Sequence, residues 1–442
     1  MRDWPALDLK GDPMTLSWFA IVRLGLIQMC IGAVVVLMTS TLNRLMVVEL
    51  SLPALLPGFL VALHYGVQLT RPNWGYLSDI GGKRSFWVNT GMVLLVLGAI
   101  LAALAIGVFE HSFAAGLILS MCAYTLIGFG VGAAGTSVLA LLGSFTAPHR
   151  RAAAATITWL MMIFGIAATA GTVGALLDPY SHQKLMVIVS SIGAITVIVT
   201  MAAVWRLERG LRAQSEPAPS AGIVAGVKEV WAEPPARNFT IFVFLSMVAY
   251  FMQELILEPY SGLVFEFTPG QSTSLSGVQN GGVFVGMLAV GIMATGLRWG
   301  ELRSWVILGC LGSALSLGVI VACAYVPQFI SLSVAVALLG VFNGVFAVSA
   351  IGSMMALADQ GKRDRVGTRM GLWGAAQAVA AAIGGLTGAI FVDLLRGVGL
   401  EAQHAFAIVF FCEAALFLYA ASMARVCVIQ RNIQPTTLVA GE

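Results

Sequence analysis

Three groups of residues in this 442-residue chain combine types and spacings that chemistry could use. The first is His64, Gln68 and Arg71, spaced four and then three residues apart, which sets all three on one face of a helix. A neutral imidazole in an apolar site can be an axial ligand to a metal, including the magnesium of a chlorin ring, or it can be a hydrogen-bonding core residue. The second is Asn43, Arg44 and Glu49, whose amide, guanidinium and carboxylate could grip a polar partner or close into an interhelical salt bridge. The third is Glu254 and Glu258, one helical turn apart and expected near a membrane surface, where they would pair with Arg44, meet a partner or face water. Glu413, Asn280, Asn343 and Gln377 complete the polar set inside apolar segments, where amides mostly join helices to one another.

The elements that position these residues are membrane spans. A mean hydropathy of +0.91 with 59% hydrophobic and 10% charged residues leaves a soluble domain too little polar surface. Hydropathy predicts twelve spans, at roughly 18–43, 51–71, 85–108, 113–143, 152–177, 184–206, 239–258, 274–296, 304–325, 329–357, 369–392 and 403–428, each matched to an apolar layer about 30 Å thick. Of the 24 Lys and Arg, about 20 fall in the tails and alternate loops on one side. Only Arg44, Lys184 and Arg396 fall on the other, and Arg23 lies inside the first span, near enough to its edge to snorkel. The positive-inside rule then places both termini in the cytoplasm. The acidic N-terminal stretch with Asp3, Asp8 and Asp12 has no small-residue cleavage site and does not read as a removable leader. Six singly scattered cysteines read as small core residues.

A polar stretch rich in Arg and Pro separates two blocks, giving a first bundle over 1–206, a cytoplasmic linker over 207–238 and a second bundle over 239–442. Within the linker, Ile223 to Trp231 has the pattern of a short surface helix. The blocks repeat faintly. A run beginning at Gly135 leads to the basic loop at Pro148 and a small-residue helix ending near Asp178; a run beginning at Ala347 leads to the basic loop at Lys362 and a small-residue helix ending at Asp393. Between spans two and three, Gly75, Asp79, Gly82, Lys83 and Arg84 match the signature loop of the major facilitator superfamily. That resemblance implies two six-helix bundles, with this loop latching their cytoplasmic ends. The equivalent loop after span eight is degenerate, with Thr295 in place of the acid. The N-terminal half carries no Asp or Glu well inside a span, which weakens ordinary ion-coupled transport. No phosphate-binding loop, catalytic triad or nucleic-acid patch is present in the sequence, so an enzyme is not expected.

The stretch from Thr41 to Glu49, with Leu42-Asn43-Arg44 and Val48-Glu49, followed by Val61 to Pro72 around His64, resembles the PucC/LhaA family of photosynthetic bacteria, a bacteriochlorophyll-delivery branch of the major facilitators. The resemblance is sharpest over residues 39–87. It implies an assembly factor for light-harvesting complexes in the bacterial inner or intracytoplasmic membrane. It further implies bacteriochlorophyll or a precursor as cargo, and antenna polypeptides or pigment-synthesis enzymes as partners. A secondary transporter of a small amphipathic solute is the alternative. Asn43, Arg44, Glu49, His64, Gln68, Glu254 and Glu258 are the candidate binding residues.

Overall fold

The computed structural model describes residues 16–71, 73–74, 83–147, 150–208, 228, 230–297, 299–326, 331–360 and 366–428. Gly75, Asp79 and Gly82 of the signature loop lie outside these residues, as do most of the linker and the basic loop at Lys362. The described chain is helical, in the order α1 (Trp18–Glu49), α2 (Leu55–Val67), α3 (Arg84–Phe109), α4 (Phe113–Phe145), α5 (Arg151–Leu177), α6 (His182–Val204), α7 (Pro234–Phe265), α8 (Pro269–Val290), α9 (Leu302–Tyr325), α10 (Leu332–Gln360), α11 (Val366–Gly397) and α12 (Ala402–Cys427). Eleven of these are long and apolar enough to cross a membrane; the other, α2, extends only through a tight turn to Thr70 and is a shorter apolar helix. Local signals set several starts. Ser17, Ser112 and Ser181 accept backbone N–H bonds at the starts of α1, α4 and α6. Thr268 and Gln271 form a reciprocal capping box at α8, followed by Pro269.

Helix α1 runs six residues beyond the span expected to end at Asn43. It does so by widening into π-helical turns at Leu37–Leu42 and Leu45–Glu49, with Leu50 N–H bonded to the Leu45 carbonyl at 3.0 Å. The polar run from Thr39 to Arg44, which reads as the end of a span, is instead buried inside the protein. The Arg23 guanidinium donates to the Trp205 carbonyl at 2.5 Å, just past the end of α6.

Each half builds its own apolar core. One joins buried residues of α1 to α6, with Leu255 reaching in from the other half; the second joins α7 to α12 around Phe242, Phe346, Trp373, Phe410 and Phe417. The halves meet where α5 packs on α8, α2 on α11, and the widened end of α1 on α7 and α8. Large apolar side chains such as Ile118, Ile198, Leu315 and Phe411 are exposed on the helix faces, where a bilayer would cover them. Cys122 and Cys412 are exposed as well, contrary to the expectation that every cysteine fills a core.

Close helix contacts rest on glycine in one place above all. A Cβ at Gly340 on α10 would lie 2.0 Å from the Gln279 carbonyl oxygen of α8, and one at Gly344 would lie 2.1 Å from the Val283 carbonyl oxygen. Backbone cannot yield there as a side chain would. Gly340→Val should therefore destabilise the protein by about 1–3 kcal/mol, read as a lower unfolding temperature in detergent, whereas Gly318→Ala, at a position with open space around it, should leave that temperature unchanged.

Candidate functional site

The polar residues of the sequence converge on the seam between the halves, at the end of the molecule where α1 finishes and α2 begins. Glu258 precedes Pro259 inside α7. A proline has no N–H for the carbonyl four residues earlier, and that orphan, Leu255 O, accepts a 2.7 Å bond from Asn43 Nδ2 of α1. Arg44 is buried, and each of its three guanidinium nitrogens has a partner. Nη1 pairs with Glu49, Nη2 donates to the Phe267 carbonyl at 2.7 Å, and Nε donates to Ser272 Oγ at 3.3 Å. Thr273 donates to Thr41 across the same seam at 3.3 Å. Asn43, Arg44 and Glu49 thus form joints between helices.

Glu258 differs from its sequence reading. It is neither near a solvated surface nor paired with Arg44. It is 1% exposed, and Oε1 accepts hydrogen bonds from Ser40 on α1 and Ser276 on α8. Burial this deep needs hydrogen-bond donors, and the two hydroxyls provide them. Glu254, one turn earlier, is partly buried near Tyr65 and Tyr250.

Two aspartates absent from the candidate set complete the seam. Asp393 on α11 accepts from Ala54 N (3.0 Å) and Leu55 N (2.6 Å), at the start of α2, which has no capping side chain of its own. Asp178, just past α5, accepts from Thr268 Oγ1 (2.5 Å) and Gly270 N (3.0 Å), at the start of α8. Each carboxylate satisfies backbone donors at a helix N-terminus, where the helix dipole favours negative charge. The interval from Asp178 to Asp393 equals that from Leu55 to Gly270, so the two caps are the same joint made twice. The signal in sequence was the matched endings of two small-residue helices. A surface cleft lies beside each cap, of about 620 Å³ at Asp393 and about 440 Å³ at Asp178. In the loop after Asp178, burial pushes the Tyr180 hydroxyl up to about 12, with Glu110 and Glu49 adding to the effect. These hydrogen bonds between the halves lie at this end.

The His64 group aligns as its spacing requires, and it forms a directed relay. Arg71 Nη2 donates to Gln68 Oε1, which fixes the amide. Gln68 Nε2 then donates to His64 Nε2 at 2.7 Å. A neutral imidazole accepting at Nε2 carries its proton on Nδ1, and Nδ1 has no partner although His64 is 1% exposed. In this arrangement the imidazole offers a hydrogen, and its lone pair is already used. Tyr65 lies edge-on to His64 at 5.1 Å between ring centroids and to Phe251 of α7 at 6.0 Å, with Tyr250 beyond. An aromatic group with Glu254 beside it therefore bridges α2 and α7, across the seam.

Of the loop motif, Lys83 is exposed and Arg84 donates to the Ala140 carbonyl and to Ser144 Oγ at the end of α4, while Glu208 accepts from Ser85 N at the start of α3. Glu413 and Asn343 lie in the interior of the second half, where Ser313 donates to Asn343 at 2.8 Å.

The family model described as PUCC protein matches residues 41–432. The chain is 59% identical over 433 residues to the "Bacteriochlorophyll synthase 44.5 kDa chain" of Rhodobacter capsulatus, covering 97% of this chain and 100% of that one. It is 28% identical to "Protein PucC" of the same species, over 86% of this chain and 84% of that one. Among solved structures, a bacterial homolog of the human lysosomal transporter Spinster, inward-facing and unoccupied, superimposes with a TM-score of 0.69 at 14% identity, covering 93% of this chain and 96% of that one. That likeness shows a major-facilitator-like fold.

The two caps carry a direct test. Asp178→Ala and Asp393→Ala should each lower stability by about 0.5–2 kcal/mol, the usual cost of an N-cap. Thermal unfolding of the purified protein should show similar losses for the two single variants, and equal stability of either variant with the parent would remove the caps from the account.

Proposed function

This chain belongs to the PUCC protein family, and from that premise we propose that it is a membrane assembly factor for bacterial light-harvesting complexes, binding bacteriochlorophyll or a precursor and delivering it to antenna polypeptides. The observation that carries this reading is the near end-to-end likeness, at 59% identity, to a chain named for bacteriochlorophyll. The chain works in the bacterial inner or intracytoplasmic membrane among lipid, antenna polypeptides or pigment-synthesis enzymes. The basic residues orient it with both termini cytoplasmic, with α2 as the twelfth span. The two bundles are 1–206 and 239–442, joined by the linker 207–238. It binds and hands on its cargo and catalyses no reaction.

The cargo contact is the α2–α7 aromatic group. Tyr65, Tyr250 and Phe251 suit the flat face of a macrocycle, and Glu254 accepts from polar substituents. The Arg71–Gln68–His64 relay points to a role for His64 as hydrogen-bond donor through Nδ1 to a ring carbonyl, in preference to a magnesium ligand. His64 is buried beside Tyr65, so cargo meets it when the packing around α2 opens. Asp79 with Gly75, Gly82, Lys83 and Arg84 forms the latch at the cytoplasmic ends. Transport of a small amphipathic solute is the second reading, favoured by the fold shared with transporters.

Deleting the gene should lower assembled antenna absorbance while sparing most of the reaction centre; wild-type antenna in the deletion strain would favour the solute transporter. Protein purified from its native membrane should carry pigment absorbance, and His64→Leu should carry less. Unchanged pigment stoichiometry in that variant would move the cargo contact away from α2.

A further inference from the structure

The N-terminal half offers no carboxylate well inside a span, but the folded chain supplies one to it from the other half. Glu258 leaves α7 toward the seam, and its Oε1 accepts from Ser40 of the first half and Ser276 of the second. Its Oε2 has no hydrogen-bond partner and no access to solvent. A carboxylate stripped of water and without an ion-pair partner is expensive; the Arg44 guanidinium acts on it from nearby but is itself paired with Glu49, and the usual resolution is neutralisation.

The charged groups on every packed element narrow the choice of neutralising partner. Helix α1 presents Arg44, whose guanidinium nitrogens are committed to Glu49, Phe267 O and Ser272. Helix α8 carries no charged residue from Pro269 to Val290. Helix α11 packs on α7 through Gly384, Gly385 and Gly388, and its Asp393 caps α2 while Arg396 is exposed beside the surface cleft. Helices α9 and α12 meet a different face of α7, at Tyr260, with Glu413 enclosed in that bundle. On α7 itself the neighbouring charge one turn away is Glu254, of the same sign.

We propose that Glu258 is a proton-binding site at the seam: Oε2 holds a proton while α1, α7 and α8 are closed on one another, and gives it up to water when the halves part at that face. The O–H bond of the acid breaks, the proton passes to water and the carboxylate is left hydrated. Closing expels that water and takes the proton back. The site links movement of the two halves to the proton activity on the α1–α2 side, whatever the cargo is, so it goes beyond the assembly reading and does not depend on it.

The test uses the full chain in vesicles, with Cys122 and Cys412 replaced by Ser and Val47→Cys as reporter. Val47 is buried against Ala54, the residue before α2, and Ala389 of α11, so it reports opening of this face. The labelling rate with a membrane-impermeant maleimide on the α1–α2 side is normalised at each pH to that of free cysteine, which cancels the ionisation of the thiol. With Glu258 present, the normalised rate should rise with pH, by at most about tenfold per unit, the limit for loss of one proton. Glu258→Gln keeps the hydroxyl contacts without a titrating group and should label slowly at every pH. Should that variant fail to assemble, Ser276→Ala removes one donor to the charged form and should move the midpoint to higher pH. A flat normalised profile with Glu258 present, a Glu258→Gln profile that rises like its parent, or an unmoved midpoint in Ser276→Ala would each overturn the proposal.

Discussion

A helix start leaves backbone N–H groups without intrahelical partners, and each must be met by a side chain, by another part of the chain or by water. In this protein the start of α2 is answered from α11 by Asp393, and the start of α8 from the end of α5 by Asp178. Both answers cross the seam. Closing that face and satisfying the helix ends are therefore one event, and the side chains of α1 are arranged around it: Asn43 on the carbonyl freed by Pro259, Arg44 on the Phe267 carbonyl, Ser40 on Glu258. The π-helical widening of α1 brings this polar run to the seam.

Much of the architecture was legible in the residues. Eleven of the twelve expected spans correspond to long apolar helices, because the bilayer imposes one rule on every segment. The end of α1 was not legible. Thr39 to Arg44 looks like a membrane exit because hydropathy scores each side chain as though lipid or water surrounded it, while here α7 and α8 supply the partners. Glu258 was misplaced for the same reason. Its neighbour Pro259 held a usable signal, since a proline inside a helix frees a carbonyl that something must fill.

The candidate polar residues were partly legible. Helical spacing puts His64, Gln68 and Arg71 in line, and they are in line. Spacing alone cannot say which way the hydrogens point. That depends on Arg71 fixing the amide of Gln68, and it decides whether the imidazole offers a lone pair or a hydrogen. Asp178 and Asp393 were visible as matching ends of a repeat, but their role required α2 and α8 to be placed against them.

The reciprocal caps also set an order of manufacture. Gly270 follows Asp178 by 92 residues, so the cap on α8 is ready as soon as that helix leaves the ribosome. The start of α2 precedes its cap by 339 residues at Ala54. Helix α2 is synthesised early, and its first turn stays uncapped until nearly the whole chain has been translated. During that interval the N–H groups of its first turn have only water or other transient acceptors, so the first half of this protein is finished only when the second half arrives.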